Sequence, residues 1–173
     1  MKIKQMDSSG LILLWRFIWV LLLQVLVFSG IEFFGVAQPM LLALFLFTYP
    51  TDSDYSLSIF LSFLLGLVAD SFTDTLALNA VAMTVAAYLR PSFLRLAYGI
   101  SVEYYNDSKL QGNLGQHSYF LFLLLLTHHF IFFTAEVFDL SRAFVILKQL
   151  VIHLPLSFLV GWLLIQLFSL QKR

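Results

Sequence analysis

Long uncharged stretches separate short charged segments along the whole chain. The stretches without Lys, Arg, Asp or Glu are 17–31, 33–51, 55–69, 75–89, 110–135 and 149–171. They are apolar throughout, whereas lipid-facing β-strands alternate apolar and polar residues over about ten positions. A helix needs about 20 mostly apolar residues to cross the hydrocarbon core of a bilayer. The pattern therefore predicts an all-α integral membrane protein, a single bundle of six transmembrane helices near 16–35, 36–49, 55–72, 76–96, 118–137 and 145–168.

The second predicted span is the weakest of the six. It lies between Pro39 and Pro50, and proline favours helix ends because it lacks the backbone N–H that a helix interior uses. We expect this segment to be short, tilted or re-entrant. A bundle of five crossings stays open if the segment does not cross the membrane completely.

The composition agrees with a membrane protein. Of the 173 residues, 60% are hydrophobic and 12% are charged, whereas soluble domains have about 45–50% and about 25%. A water-soluble globule is therefore excluded. The formal net charge is zero, so no basic surface indicates a nucleic-acid partner. The chain has no cysteine, which rules out disulfides, thiolate nucleophiles and zinc sites built from cysteine.

Basic residues are distributed unevenly between the two predicted sides of the membrane. With six spans and a cytoplasmic N-terminus, eight Lys and Arg residues fall inside and only Arg142 and Lys148 fall outside. Short cytoplasmic loops are enriched in Lys and Arg, so this bias predicts that both termini are cytoplasmic. On the inner face we expect contacts with anionic lipid headgroups from Arg16, Arg90 and Arg95. The outer face carries an acidic rim suited to a basic partner segment, formed by Glu32, Asp70, Asp74, Glu136 and Asp139.

The most informative stretch is the junction between the third and fourth predicted spans, where an apolar helix ends in two carboxylates and another apolar helix follows. Gly66, Asp70 and Asp74 are four residues apart, so they share a face if the helix continues through them. The small Gly66 permits close helix approach. Two interpretations stay open. Either Asp70 and Asp74 end one helix and cap the next in water, or Asp70 is held at the membrane edge for a partner's basic residue or for backbone amides.

At this junction the chain resembles the rod shape-determining MreD family. Its members carry a Gly-Leu-x-x-Asp segment, a small or polar turn, then Leu-Gly and an alanine-rich helix. The residues that match are Gly66, Leu67, Asp70, Thr73, Leu76 and Ala80, whereas Ala77 stands where the family commonly has glycine. Further similar features are Gln24, Gln38-Pro39 and Leu89-Arg90-Pro91. The candidate partner-binding residues of the junction are Gly66, Leu67, Asp70, Thr73, Asp74, Leu76 and Asn79.

The resemblance implies a function and a fold. It implies a non-enzymatic scaffold of the bacterial inner membrane that belongs to the cell-elongation machinery and maintains rod shape by guiding lateral peptidoglycan synthesis. The implied partner is the periplasmic scaffold protein MreC, and through it the actin-like MreB filament and the wall synthases. The implied fold is similar to the six-helix substrate-binding subunits of energy-coupling-factor vitamin transporters.

Several polar side chains fall within the predicted hydrocarbon region: Gln24, His128, His129, Glu136, Lys148, Gln149 and His153. A metal site, a proton relay and interhelical hydrogen bonds are the three hypotheses for them. Three histidines and a distant glutamate fit no familiar metal-ligand spacing, whereas proton pathways do use His and Glu in a bundle interior. The sequence favours interhelical hydrogen bonds. Glu136 and Lys148 are expected to pair near the outer boundary.

No set of catalytic residues and no cofactor fingerprint occurs in the sequence. The loops are too short to enclose a reaction, so we predict neither an enzyme nor a bound cofactor. The alternative to a scaffold is a small transporter or substrate-binding subunit, whose site would be the polar groups near the midplane. A homodimer also stays open, although the lone Gly161 has no GxxxG partner that would indicate a dimer face.

Overall fold

Six α-helices form the computed structural model, which describes residues 3–28, 38–51, 53–99 and 112–170, without the side chains of 3–9, 140 and 168–170. The helices are α1 (Ile3–Leu22), α2 (Leu44–Thr48), α3 (Tyr55–Thr73), α4 (Leu78–Tyr98), α5 (Leu114–Val137) and α6 (Ala143–Leu170). A π-helix (Leu23–Phe28) continues α1, and one turn of 3-10 helix (Leu140–Arg142) precedes α6. Within these ranges there is no β-strand.

Four helices are long and apolar enough to cross a membrane. These candidate spans are Gly10–Phe28, Tyr55–Thr73, Leu114–Val137 and Ala143–Leu167. The all-helical prediction is therefore confirmed for the described residues, and four of the helices have the length and composition of membrane-spanning helices. The first span begins earlier in the sequence than expected. Helix α4 has a similar length but is not one of the four, and its alanine-rich sequence contains Arg90 and Arg95.

Helices α3, α4, α5 and α6 pack in chain order, each against the next. Small side chains on α4 allow this close packing, and the fully buried ones are Ala80, Ala82, Ala86 and Ala87. Gly66 on α3 faces the start of α4. A Cβ atom added to Gly66 would lie 2.5 Å from the Cα atom of Ala80. Gly66 thus permits the close helix approach that its size predicts.

A short segment lies in the middle of the bundle. We call residues 38–51 the central segment, which consists of α2 and irregular backbone on either side of it. Its residues 41–46 are at most 5% exposed. A five-residue helix such as α2 rises only about 7.5 Å, so the second predicted span is short, as its two prolines predict. Residues 29–37, which complete the first predicted span and begin the second, lie outside the described residues.

Charged residues lie at two opposite ends of the bundle. At one end Leu78 and Val137 pack in the same apolar cluster and join the start of α4 to the end of α5. At the other end Tyr98, the last residue of α4, hydrogen-bonds His117 near the start of α5, with 2.7 Å between Oη and Nδ1. The first is called the acidic end here, and its exposed acids are Asp74, Glu136 and Asp139. The second is called the basic end, and its arginines are Arg16, Arg90 and Arg95. Glu32 of the predicted acidic rim lies outside the described residues.

Candidate functional site

Asp70 joins helices α3 and α4. It lies in the last turn of α3 and is only 5% exposed. Its Oδ1 accepts hydrogen bonds from the Asn79 backbone N–H (3.0 Å), the Asn79 side-chain amide (2.9 Å) and the Thr75 hydroxyl. Its Oδ2 accepts from the Ala80 backbone N–H at 2.9 Å. We call Asp70, Thr75, Asn79 and Ala80 the Asp70 junction.

The Asp70 carboxylate acts as the N-cap of α4. Ala77 occupies the N-cap position itself, and it has no side chain that could accept a hydrogen bond. The first turn of a helix leaves backbone N–H groups without partners inside the helix, and Asp70 accepts two of them from the neighbouring helix. A carboxylate suits this place because the positive end of the helix macrodipole stabilises a negative charge.

The turn between α3 and α4 has left-handed backbone at three positions. The φ angles are 57° at Asp74, 46° at Leu76 and 66° at Ala77. The Asp74 N–H donates to the Asp70 carbonyl oxygen and so ends α3. A side chain disfavours positive φ because its Cβ atom approaches the carbonyl oxygen that follows. Ala77 therefore adopts a conformation that glycine, the residue common here in the MreD family, adopts at no steric cost.

The predicted motif residues divide into buried and exposed groups. The buried ones are Gly66, Asp70 and Asn79. The exposed ones are Leu67, Asp74 and Leu76. Thr73, which is partly buried, donates from its hydroxyl to the Ala69 carbonyl oxygen at 3.0 Å. Only the exposed group is available to a partner.

Asp70 does not belong to an exposed acidic rim, and that prediction is wrong. Its carboxylate is buried and is occupied by hydrogen bonds from its own chain. Of the two interpretations, the structure supports capping, with backbone amides as the partners and with the carboxylate shielded from water. The physical reason is that α4 needs an acceptor at its first turn and Ala77 cannot supply one.

Gln24 satisfies the backbone at the start of the central segment. It lies in the π-helix that follows α1 and is 7% exposed. Its Oε1 accepts from the Leu41 N–H at 2.6 Å, and its Nε2 donates to the Pro39 carbonyl oxygen at 3.2 Å. Both halves of the amide are therefore used by one short piece of irregular backbone.

His129 on α5 and Ser157 on α6 form a second set of hydrogen bonds that reaches the central segment. The His129 Nδ1 donates to the Leu125 carbonyl oxygen (2.7 Å), because a carbonyl can only accept. Its Nε2 is then the acceptor of a neutral ring and accepts from the Ser157 hydroxyl at 2.9 Å. The Ser157 oxygen in turn accepts from the Met40 N–H at 2.9 Å. The chain of hydrogen bonds joins α5, α6 and the central segment.

Two arginines satisfy the carbonyl groups at the end of α2. Arg90 donates from Nε to Leu46 O (2.8 Å) and from Nη2 to Tyr49 O (2.6 Å). Its guanidinium carbon lies 5.5 Å from the centre of the Tyr49 ring. Arg16 donates from Nη1 to Thr48 O. Cations at a helix C-terminus also interact favourably with the negative end of the macrodipole.

Arg90 is therefore not a lipid-contact residue, and that prediction is wrong. It is 6% exposed because the carbonyl groups of the central segment need donors inside the bundle. Arg16 is partly buried because it also donates to a carbonyl group of the central segment, whereas Arg95 is exposed at the basic end. Sequence reasoning also missed Ser157, whose only signal is a hydroxyl in an otherwise apolar stretch two residues after Pro155.

The central segment explains why polar residues occur in the middle of apolar helices. In a bilayer, backbone that is not helical is tolerated only where protein groups satisfy its N–H and C=O groups. Gln24, Ser157 and Arg90 do this for the central segment, and His129 orients Ser157. In the described part of the chain, no three His, Asp or Glu residues come together in a way that could hold a metal ion.

Other polar groups of the described chain have no hydrogen-bond partner. His128 is fully buried, and neither of its ring nitrogens is hydrogen-bonded to any residue that the structure describes.

On α6 a groove of about 220 Å³ is lined by Val145, Lys148, Gln149, Ile152 and His153. The His153 Nδ1 donates to the Gln149 carbonyl oxygen at 2.9 Å, so the Nε2 of a neutral ring stays an acceptor.

No protein-family model, curated protein or solved structure matches this chain. Of the motif residues given above, Gly66, Asp70 and Ala80 meet at one helix contact.

Glu136 and Lys148 do not form the expected ion pair, so that prediction is wrong. Among the described residues of the acidic end, the ion pair joins Arg142 to Asp139, with 3.6 Å between Nε and Oδ2. The hydroxyl and backbone N–H of Ser141 both hydrogen-bond Asp139 and lower the pKa of its carboxyl group. Glu136 and Lys148 are both exposed, so each is available to other partners.

Proposed function

We propose that this chain is a non-enzymatic scaffold of the bacterial inner membrane, similar to MreD proteins, that binds the periplasmic scaffold MreC. Through MreC it acts with the MreB filament and the wall synthases, guides lateral peptidoglycan synthesis and maintains rod shape. The observation that carries the proposal is the Asp70 junction. The motif behind the resemblance brings Gly66, Asp70 and Ala80 to one helix contact, so these residues have a shared physical reason to occur together.

The use of the interior polar groups supports a scaffold. A ligand site needs polar groups directed at an open volume. Gln24, His129 and Arg90 instead use their polar atoms on the chain's own backbone or on Ser157. The exposed groups at the two ends are then the natural contacts for partners.

The charge distribution supports an orientation. We place the basic end in the cytoplasm and the acidic end on the periplasmic side, with six crossings and both termini cytoplasmic, because Lys and Arg concentrate in cytoplasmic loops. Arg95 then contacts anionic lipid headgroups. The exposed acids at the other end, Asp74, Glu136 and Asp139, face a basic segment of MreC next to the membrane.

A small transporter or substrate-binding subunit is the second candidate. The central segment favours it, because transporters build their sites from discontinuous helices near the bilayer midplane. His128 adds two ring nitrogens without a partner among the described residues. In this case a ligand would have to replace hydrogen bonds that Gln24 and His129 already make.

Copurification with MreC of the same organism tests the proposal. The combined change of Asp74→Asn, Glu136→Gln and Asp139→Asn removes the exposed acids. We expect a weaker complex whose loss is greater at low salt, since each exposed ion pair contributes only ~0.2–1 kcal/mol and is screened by salt. His128→Leu is the control, because it changes the interior and leaves the acidic end intact.

Two results would contradict the scaffold. One is a complex that the triple variant leaves unchanged at low salt. The other is a His128→Leu variant that loses rod shape while it still copurifies with MreC at normal abundance. The second result would favour the transporter, because only transport depends on a free polar group in the interior.

A further inference from the structure

One face of α6 carries polar groups that the rest of the described chain does not use. The residues that line the groove on this face are Val145, Lys148, Gln149, Ile152 and His153. Their spacing of three and four residues places them in a single stripe along the helix. We call this stripe the α6 face. No hydrogen bond or ion pair within the described residues involves the Lys148 amine, the Gln149 amide or the His153 Nε2.

The α6 face runs from the membrane boundary into the hydrocarbon. Helix α6 has 28 residues, a length of about 42 Å, against about 30 Å for the hydrocarbon core. Lys148 lies about 7.5 Å from the start of the helix, close to the boundary, where its flexible stem lets the amine reach water. His153 lies another ~7.5 Å deeper, where an unused polar atom has no water to bind.

Gln149 and His153 offer complementary groups on the same face. The His153 Nδ1 donates to the Gln149 carbonyl oxygen, which leaves Nε2 as a hydrogen-bond acceptor. The side-chain amide of Gln149 offers two N–H donors. One donor and one acceptor therefore lie one helical turn apart on a partly exposed flank of α6 beside α5. A lipid acyl chain has no polar group that could satisfy either.

We propose that the α6 face binds the α6 face of a second copy of this chain about a two-fold axis. A two-fold interface brings the same surface together twice, so it requires a self-complementary surface. Gln149 of each copy then donates to His153 Nε2 of the other copy, which satisfies the unused ring nitrogen and one N–H of the amide. The apolar side chains of Val145 and Ile152 pack between the two helices.

Charges next to the α6 face agree with this arrangement. The rings of Phe133 and His153 are 5.0 Å apart, and Glu136 follows Phe133 by three residues, so it lies on the neighbouring surface of α5. Each copy thus presents an exposed acid and an exposed Lys148 beside the same face. Across the two-fold axis, Lys148 of each copy pairs with Glu136 of the other. This inference rests on the membrane insertion that the proposed function assumes, but not on MreC binding.

Cysteine crosslinking tests the interface directly. The chain has no cysteine. A single introduced cysteine can therefore form a disulfide only with the same cysteine of a second copy or with a different protein. Ile152→Cys lies on the α6 face, whereas Val151→Cys lies at nearly the same depth, is 69% exposed and faces elsewhere. In oxidised membranes we expect a covalent dimer from Ile152→Cys and none from Val151→Cys. Adding Gln149→Leu to Ile152→Cys should weaken dimer formation about eightfold, through the loss of two interhelical hydrogen bonds.

Three outcomes would overturn the proposal. Equal crosslinking at both positions would indicate random collision. The absence of a covalent dimer from Ile152→Cys would exclude close contact of the two faces. Crosslinking of Ile152→Cys only to a different protein would show that another helix occupies the α6 face.

Mixing two differently tagged variants tests the charge pairs. The Lys148→Glu variant has an acid at positions 136 and 148, and the Glu136→Lys variant has a base at both of these positions. Because the pairs form between copies, mixed dimers should exceed the two kinds of homodimer, whereas a statistical mixture would overturn the pairing.

The Gln149→Leu chain is also tested for MreC binding, which we expect to be unchanged. A chain that binds MreC without dimerising overturns only this inference, and a dimer that does not bind MreC overturns only the proposed function.

Discussion

His128 and His129 are adjacent on α5 and are both fully buried, yet only His129 has hydrogen-bond partners among the described residues. Successive residues of a helix are rotated by about 100° around its axis, so one ring reaches Ser157 on α6 and the other does not. A buried polar atom without a partner costs about 1–3 kcal/mol. The same residue type therefore stabilises the bundle at one position and destabilises it at the next.

The two histidines predict opposite changes in stability. His128→Leu removes two ring nitrogens without partners and keeps a similar volume, so we expect the free energy of unfolding to rise by about 1–2 kcal/mol. His129→Leu leaves the Ser157 hydroxyl without its acceptor and should lower it by about 1–3 kcal/mol. Unfolding of each purified variant in detergent measures the change. Equal destabilisation by both would contradict the assigned hydrogen bonds.

Asp70 and Asp74 form a second matched pair. Asp70→Leu leaves the N–H groups of Asn79 and Ala80 buried without an acceptor, and we expect the free energy of unfolding to fall by about 3 kcal/mol. Asp70→Asn keeps one oxygen acceptor and should cost less. Asp74→Asn, at an exposed position of the same turn, serves as the control and should change stability little, because asparagine also tolerates the left-handed backbone of this position. If Asp70→Leu unfolds at the same temperature as Asp74→Asn, Asp70 is not the cap of α4.

At the scale of elements, the short helix α2 depends on side chains from other helices. Its five residues are too few for a stable helix on their own, because the first turn fixes several residues for a single hydrogen bond. Arg16 and Arg90 supply donors to the carbonyl groups at its end. The element therefore forms only inside the assembled bundle.

Arg90 and Arg95 test this dependence. Arg90→Met keeps the apolar length but removes both donors to Leu46 and Tyr49, and we expect a loss of about 3 kcal/mol in the free energy of unfolding. Arg90→Lys should recover only part of it, because a lysine amine cannot reproduce the planar fork of a guanidinium. Arg95→Met, at an exposed position five residues later in the same helix, is the control. Equal unfolding temperatures of the two Met variants would show that Arg90 is not needed to hold the central segment.

At the scale of the whole molecule, charge is segregated along the bundle axis. The exposed acids Asp74, Glu136 and Asp139 lie at the end where α3 and α5 finish, together with Arg142 and Lys148. At the opposite end lie Arg16, Arg90 and Arg95. An asymmetry of this kind orients a membrane protein, because basic loops stay in the cytoplasm.

Reporter fusions test the orientation. We expect a fluorescent or cytoplasm-active reporter joined after Arg173 to be active, and a periplasm-active reporter placed in the turn at Asp74 to be active too. Arg95→Glu together with Lys109→Glu weakens the charge bias, so it should increase the fraction of inverted chains without changing the helices. Activity of a periplasmic reporter after Arg173 would exclude the proposed six-span topology.

The sequence pattern alone predicts the helical content and the segments that are long and apolar enough to span a membrane, because hydrophobicity over a stretch of about 20 residues decides whether a helix can enter lipid. It also indicated the junction of α3 and α4, since Asp70 and Asn79 are close in the chain. The burial of Arg90, the difference between His128 and His129, and the roles of Gln24 and Ser157 follow from tertiary contacts and not from the sequence pattern. Each of these depends on a partner at a distance of 15 to 117 residues along the chain. A local sequence pattern does not indicate which helix face will contact the residue.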